Sequence, residues 1–205
     1  MKVASFKILS ILRVMKTNTL SRKQEIYRIA AKLFKEKGYS AVTMRDLAAA
    51  VGIKAASLYN HISSKQQILS ETIIDIAEQF TEGIEMITIQ DSDTVTKLKA
   101  VISQHITLTA NNPYGMAALN NDWMHLEGKL DYYLALRSKY EKKFEKIVQD
   151  GKMSGELKDV NTEILLYSIL TTLRNLYLWI PKKADLKKDE LIEGLSVTLL
   201  QGVVK

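Results

Sequence analysis

From Lys54 the chain places an ammonium group, two alanines, the Ser57 hydroxyl, and then Tyr59, Asn60 and His61, with a second ammonium at Lys65. This set suits a polyanion: phosphate oxygens accept from ammonium, imidazole and hydroxyl donors, while small side chains let a helix approach base edges closely. We expect Thr43, Tyr59, His61 and Lys65 to hold phosphates, with Asn60 beside them. Lys54, Ala55, Ala56 and Ser57 are expected to face the groove. Residue sets for other chemistry are missing. Three histidines lie scattered at His61, His105 and His125, there is no cysteine, and no HExxH, glycine-rich phosphate loop or serine nucleophile elbow occurs. No carboxylate stands in an apolar run that would tune its acidity. No catalytic residue, metal or cofactor is therefore expected, and the chain reads as a binding protein, not an enzyme. A helical module that binds a protein partner without DNA is the main competing reading, and a metal-dependent hydrolase the weaker one.

A second constellation surrounds the proline break at Asn111–Pro113. His105, Tyr114, Met116, Trp123, Met124, Tyr133 and Tyr167 combine aromatics and methionines with few polar groups. Each is also an ordinary core residue. Together they suit a cavity for an apolar or amphipathic small molecule.

The elements that must position the first set are short helices. Thr43 with Asp46 makes a capping box, and Gly52 after Val51 can turn the chain left-handed. A second helix then starts near Lys54. Leu47, Ala48 and Val51 before the turn face Ile53 and Leu58 after it, the pattern of a helix-turn-helix. Ahead of it, Ser21 and Gln24 form another box, and Ile26, Ile29, Ala30, Leu33 and Phe34 recur at helical spacing up to Gly38. Residues 1–14 carry Lys7 and Arg13 inside an apolar run too short to span a membrane, which needs ~20 residues. They are expected to be an upstream extension or flexible tail before Met15, with an amphipathic helix packed on the body as the alternative, and residues 1–20 are set apart as an extension.

Charge follows the same division. Residues 1–70 carry 13 Lys and Arg against 3 Asp and Glu, whereas residues 71–205 carry 16 against 20, so a basic head precedes a mildly acidic body. A helix from Ser64 to about Glu82 must join them. Further helices are expected from Leu98 to Asn111, from Lys129 to Asp150 with a solvated lysine face, from Ile164 to Ile180, and from Leu191 to Val204. The last two are apolar on more than one face, which implies pairing with a second copy through Leu165, Ile169, Leu173, Leu176, Leu195 and Leu199. The expected fold class is all-α, with a helix-turn-helix domain at 21–66 and a helical effector-binding and dimerisation domain at 67–205. The cytoplasm is the default location.

Phe34 to Gly38, Thr43, Asp46 to Ala48, Val51-Gly52, Leu58 to Ile62 and Lys65 resemble the N-terminal DNA-binding domain of the TetR family of transcriptional repressors. Ile62 stands where that pattern usually has Phe, an apolar exchange. The match spans roughly residues 22–75, about a quarter of the chain. The resemblance implies a homodimeric repressor on a near-palindromic DNA operator, released by a small-molecule effector that enters a cavity among the C-terminal helices. On this reading the effector displaces the Ser64–Glu82 helix and swings the two heads apart.

Overall fold

A computed structural model describes residues 21–183 and 185–205, so the expectations for residues 1–14 and 1–20 lie outside the described residues. Nine α-helices follow in chain order among the described residues, with no strand beyond an isolated antiparallel bridge between Leu157 and Val204. Helix α1 (Arg22–Lys37) begins at a reciprocal Ser21–Gln24 box. Helix α2 (Met44–Val51) starts at the Thr43–Asp46 box and stops at Gly52, whose φ of 74° is the left-handed turn the sequence calls for. Helix α3 (Ala55–Tyr59) is shorter than its sequence pattern suggests. The amides of both His61 and Ile62 return to the Leu58 carbonyl, closing the helix, while the buried Ile62 side chain draws the chain into the core.

Helix α4 (Lys65–Thr88) runs past the expected end at Glu82. Gly83 stays inside it because the Gln104 side chain lies flat there, donating to the carbonyls of Gln79 and Phe80 at 2.9 and 3.2 Å. A Cβ at Gly83 would fall 2.0 Å from the Gln104 Nε2. Helix α5 (Thr94–Asn111) ends where expected, and Pro113 opens α6 (Pro113–Asn121) with Asn112 as its cap. Two 3₁₀ turns, Trp123–His125 and Glu127–Lys129, lead into α7 (Leu130–Met153). The apolar run from Ile164 is not one helix: α8 (Thr162–Arg174) gives way to 3₁₀ turns at Asn175–Leu178 and Ile180–Lys182. Helix α9 (Lys188–Leu200) closes the body.

The side chains form two apolar clusters, and α4 belongs to both. Ile68, Leu69, Ile73 and Ala77 pack with α1–α3, whereas Ile76, Phe80, Ile84 and Ile87 pack with α5–α9. Ala118, Leu126 and Tyr133 from the body also enter the head cluster. Residue 66 thus marks where α4 has just begun, not where the head's core ends. A three-helix head is marginal alone, and these body residues extend its core.

The dimer expectation needs correction at the residue level. Leu165, Ile169, Leu173 and Leu176 are at most 4% exposed and lie in the protomer's own core, while Leu195 and Leu199 rest half-buried against it. Their helical spacing marks the stripe turned inward. The apolar side chains that α8, the turn after it and α9 present outward are Ile164, Tyr167, Leu178 and Val197.

Candidate functional site

The helix-turn-helix leaves its expected nucleic-acid face open. Lys54, Ala56, Ser57, Tyr59, Asn60 and His61 are exposed, Ala55 is half-buried, and Leu58 anchors α3 from beneath. Thr43 is exposed, with its hydroxyl engaged in the cap of α2. Hydrogen bonds from Thr43 hold the Asp46 carboxyl below its usual range. Arg45, exposed in the first turn of α2, is a cation the sequence reading passed over; its place two residues after the cap was the available signal. On the inner side, the Arg22 guanidinium reaches the Val51 carbonyl at 3.3 Å and ties α1 to the end of α2.

Lys65 is placed differently from expectation. Its ammonium donates to the carbonyls of Tyr39, Val42 and Ser40 at 2.9, 3.0 and 3.3 Å, and sits 4.4 Å from the centre of the Tyr39 ring. Three donors thus meet three carbonyls. The side chain staples the α1–α2 connection onto the start of α4, and its ammonium has no donor left for a phosphate.

Where the two clusters meet on α4, a cavity of about 150 Å³ opens beside Ala77, Phe80 and Thr81. His105, Met116, Trp123 and Tyr133, four of the seven residues grouped around the proline break, line it. The other three expected residues do not. Tyr114 faces a separate cleft between α1, α4 and α6, with the Lys35 ammonium 5.5 Å from its ring centre, while Met124 and Tyr167 are 65% and 51% exposed. Of the residues on α5 and α6, His105 and Met116 reach the cavity and Tyr114 does not, while Tyr167 points out of α8. Missed were Phe80 and Thr81 on α4, Tyr140 and Arg137 on α7, and Arg174 at the end of α8. An arginine one turn before Glu141, on a helix otherwise rich in lysine, was the readable sign.

His105 is buried, with its Nε2 2.8 Å from the Tyr140 hydroxyl and its ring against Phe80. Burial, reinforced by the Arg174 charge, pushes its pKa down to about 3, so the imidazole is neutral. Burial also drives the Tyr140 hydroxyl far above its ordinary range. It therefore keeps its proton to donate. Arg137 Nε and an Arg174 terminal nitrogen both reach the same Glu141 oxygen, at 3.1 and 2.8 Å. Burial raises the Glu141 carboxyl, but the hydrogen bonds from Arg174 and Arg137 outweigh it and hold the group below its usual range. Among the described residues no three His, Asp or Glu side chains converge as metal ligands would, and no helix is long and apolar enough to cross a membrane.

Comparison with known proteins covers both parts of the chain. The family described as "Bacterial regulatory proteins, tetR family" matches residues 26–72, and "Tetracyclin repressor-like, C-terminal domain" matches residues 91–203. The chain is 23% identical over 185 residues to the HTH-type transcriptional repressor KstR2 of Rhodococcus jostii (strain RHA1), covering 89% of this chain and 91% of that protein. Among solved structures, the ketosteroid transcriptional regulator KstR2 of Mycobacterium tuberculosis superposes with a TM-score of 0.84 at 19% identity, covering 92% of this chain and 97% of that one. AibR in complex with isovaleryl coenzyme A and operator DNA superposes at 0.71 and 22% identity, covering 87% and 97%. With head and body matched in order by models that together span most of its length, the chain belongs to the TetR family of DNA-binding transcriptional regulators.

Proposed function

We propose that the protein is a homodimeric repressor that holds a near-palindromic operator through two copies of the Lys54–His61 segment and lets go when a small apolar or amphipathic effector enters the α4 cavity. One observation carries this reading: α4 packs its first half into the head and its second half into the body, and the cavity opens beside Ala77, Phe80 and Thr81, where the two halves meet. A ligand that fits the cavity only after α4 has shifted favours the shifted state by its differential affinity, with a coupling of ~1–3 kcal/mol in typical cases. The heads of a dimer must stand about one DNA turn apart, ~34 Å, so a modest swing of α4 abolishes the fit. AibR, a neighbour of the same fold solved in complex with isovaleryl coenzyme A and operator DNA, supports the presence of a small-molecule site and a DNA site on one chain, though not release of one by the other.

Dimerisation rests on the outward apolar residues Ile164, Tyr167, Leu178 and Val197, with Gly194 leaving open space for a partner helix to approach. We place the protein in the cytoplasm, where operator DNA is available. The deciding experiment incubates purified protein with fragmented genomic DNA, sequences what is retained, and titrates the fragment obtained. Retention of a short sequence with twofold symmetry is expected. Binding that ignores sequence, or no binding at low salt, would leave the protein-interaction reading in its place.

A further inference from the structure

The cavity has two chemically different parts. Phe80, Met116, Leu119, Trp123 and Leu136 supply an apolar wall, and its volume of about 150 Å³ matches the size of an engineered protein cavity that takes up benzene. Arg137 and Arg174 also line it, and both are bound to one oxygen of Glu141, which does not line it. Two guanidiniums against one carboxylate leave a net positive charge. Arg137 engages Glu141 through Nε and Arg174 through a single terminal nitrogen, so each planar fork retains N–H groups beyond that bond. No acidic side chain lines the cavity to balance the charge. Other polar liners are occupied among themselves: Asn120 donates its amide N–H groups to the carbonyls of Met116 and Arg174, Thr81 donates to the Ala77 carbonyl, and the Tyr140 hydroxyl meets the neutral His105, so the two guanidiniums are the charged groups that line the cavity. A cationic ligand would meet repulsion there, and a purely apolar one would forgo the guanidinium donors that line it.

Resting on the regulator reading above, we propose that the effector is a small carboxylate with an aryl or branched-alkyl body, its carboxylate taken by Arg137 and Arg174 and its body packed against Phe80, Met116 and Trp123. Guanidinium and carboxylate are both planar, and paired N–H···O bonds fix orientation as well as charge. The carboxylate then shares the two arginines with Glu141. A crosslink between α7 and the end of α8 becomes part of a ligand site, and the ligand's apolar end reaches α4.

Calorimetric titration of the full chain tests this with phenylacetate, 3-phenylpropanoate and 4-methylpentanoate, each beside its primary amide and its coenzyme A thioester. At least one acid should bind about 10- to 100-fold more tightly than its amide, the range set by hydrogen bonds to charged groups. The preference should shrink towards unity in both R137Q and R174Q, with amide affinity and melting behaviour retained in at least one of them. Equal affinity for acid and amide, binding by thioesters alone, no binding by any probe, or an acid preference that survives in both variants would overturn the proposal. Operator affinity is measured separately on the same preparations. Acid discrimination without operator binding would sink the regulator reading and spare the ligand chemistry; operator binding without acid discrimination would do the reverse.

Discussion

The ring of Tyr39, in the turn after α1, lies 5.1 Å from the ring of His125, in the turn after α6. Gln66, at the start of α4, completes the contact: its amide donates to the His125 carbonyl at 2.6 Å and its oxygen accepts from the Tyr39 hydroxyl. Two residues before His125, Trp123 lines the cavity and stacks on Tyr133. The cavity wall and the head are therefore joined through the Trp123–His125 turn as well as along α4.

This second route predicts the behaviour of H125A. Removing the imidazole breaks the ring contact with Tyr39 and leaves the cavity lining in place. Effector binding should persist, while the factor by which effector weakens operator binding should fall below the wild-type value, which a coupling of ~1–3 kcal/mol sets at roughly 5- to 150-fold. Operator titrations with and without saturating effector give both factors. An unchanged factor would show that α4 alone carries the signal.

Lys65 yields a prediction opposite to the one its sequence position invites. Its ammonium serves three carbonyls of the α1–α2 connection, two part-buried and one exposed, so K65M should lower stability by about 1.5–3 kcal/mol, the range for hydrogen bonds to a charged group. The salt dependence of operator binding should stay as in wild type. K54A and R45A, which remove exposed cations, should each reduce the slope of log affinity against log salt by about 0.9 if they meet one phosphate apiece. A reduced slope for K65M would return that lysine to the phosphates.

The contrast shows which parts of the molecule were legible in sequence. Both capping boxes and the left-handed Gly52 rest on contacts within four residues, and all three form as read. The role of Lys65 depends on carbonyls more than 20 residues away, which no local pattern reveals. Gly83 read as a break because nothing in α4 shows that Gln104 will cover it. On α8, apolar spacing located the helix but could not separate the face turned to the protomer's own core from the face turned outward, since Ile164 and Leu165 are equally apolar. Four of the seven residues grouped around the proline break line the cavity; Arg137 and Arg174, on the successive helices α7 and α8, meet only through Glu141, a contact no local pattern reveals.

Substitutions on those two faces should behave differently. V197E and Y167E place a charge where the protomer exposes an apolar side chain, and each should yield a folded monomer by sedimentation because an unpaired carboxylate cannot be buried cheaply at a dimer seam. L173A removes a fully buried side chain and should cost about 2–5 kcal/mol of protomer stability, seen as a lower denaturant midpoint. Dimers that survive both glutamate substitutions would place the interface elsewhere.

Acid sensitivity should trace to His105. Its pKa is about 3 in the fold, against 6.5 for the unperturbed side chain, because it is buried and faces the Arg174 charge. The groups around it are Tyr140, which holds its Nε2, Phe80, and the Arg137–Glu141–Arg174 cluster, so nothing nearby favours imidazolium except Glu141, already bound by both guanidiniums. A depressed pKa means that the unfolded chain binds the proton first. Stability is therefore full above pH 6.5 and declines as pH falls from there towards 3, with a slope approaching about 1.4 kcal/mol per pH unit once the unfolded imidazole is protonated. Between pH 6.5 and 5 the loss is on the order of 1–2 kcal/mol, and most carboxylates do not yet contribute in that window. H105Q keeps a hydrogen-bonding group beside Tyr140 but cannot titrate. Its stability in urea should be lower than wild type at pH 7.5 and distinctly flatter between pH 6.5 and 5; parallel curves for the two proteins would show that His105 is not the group whose protonation unfolds the chain.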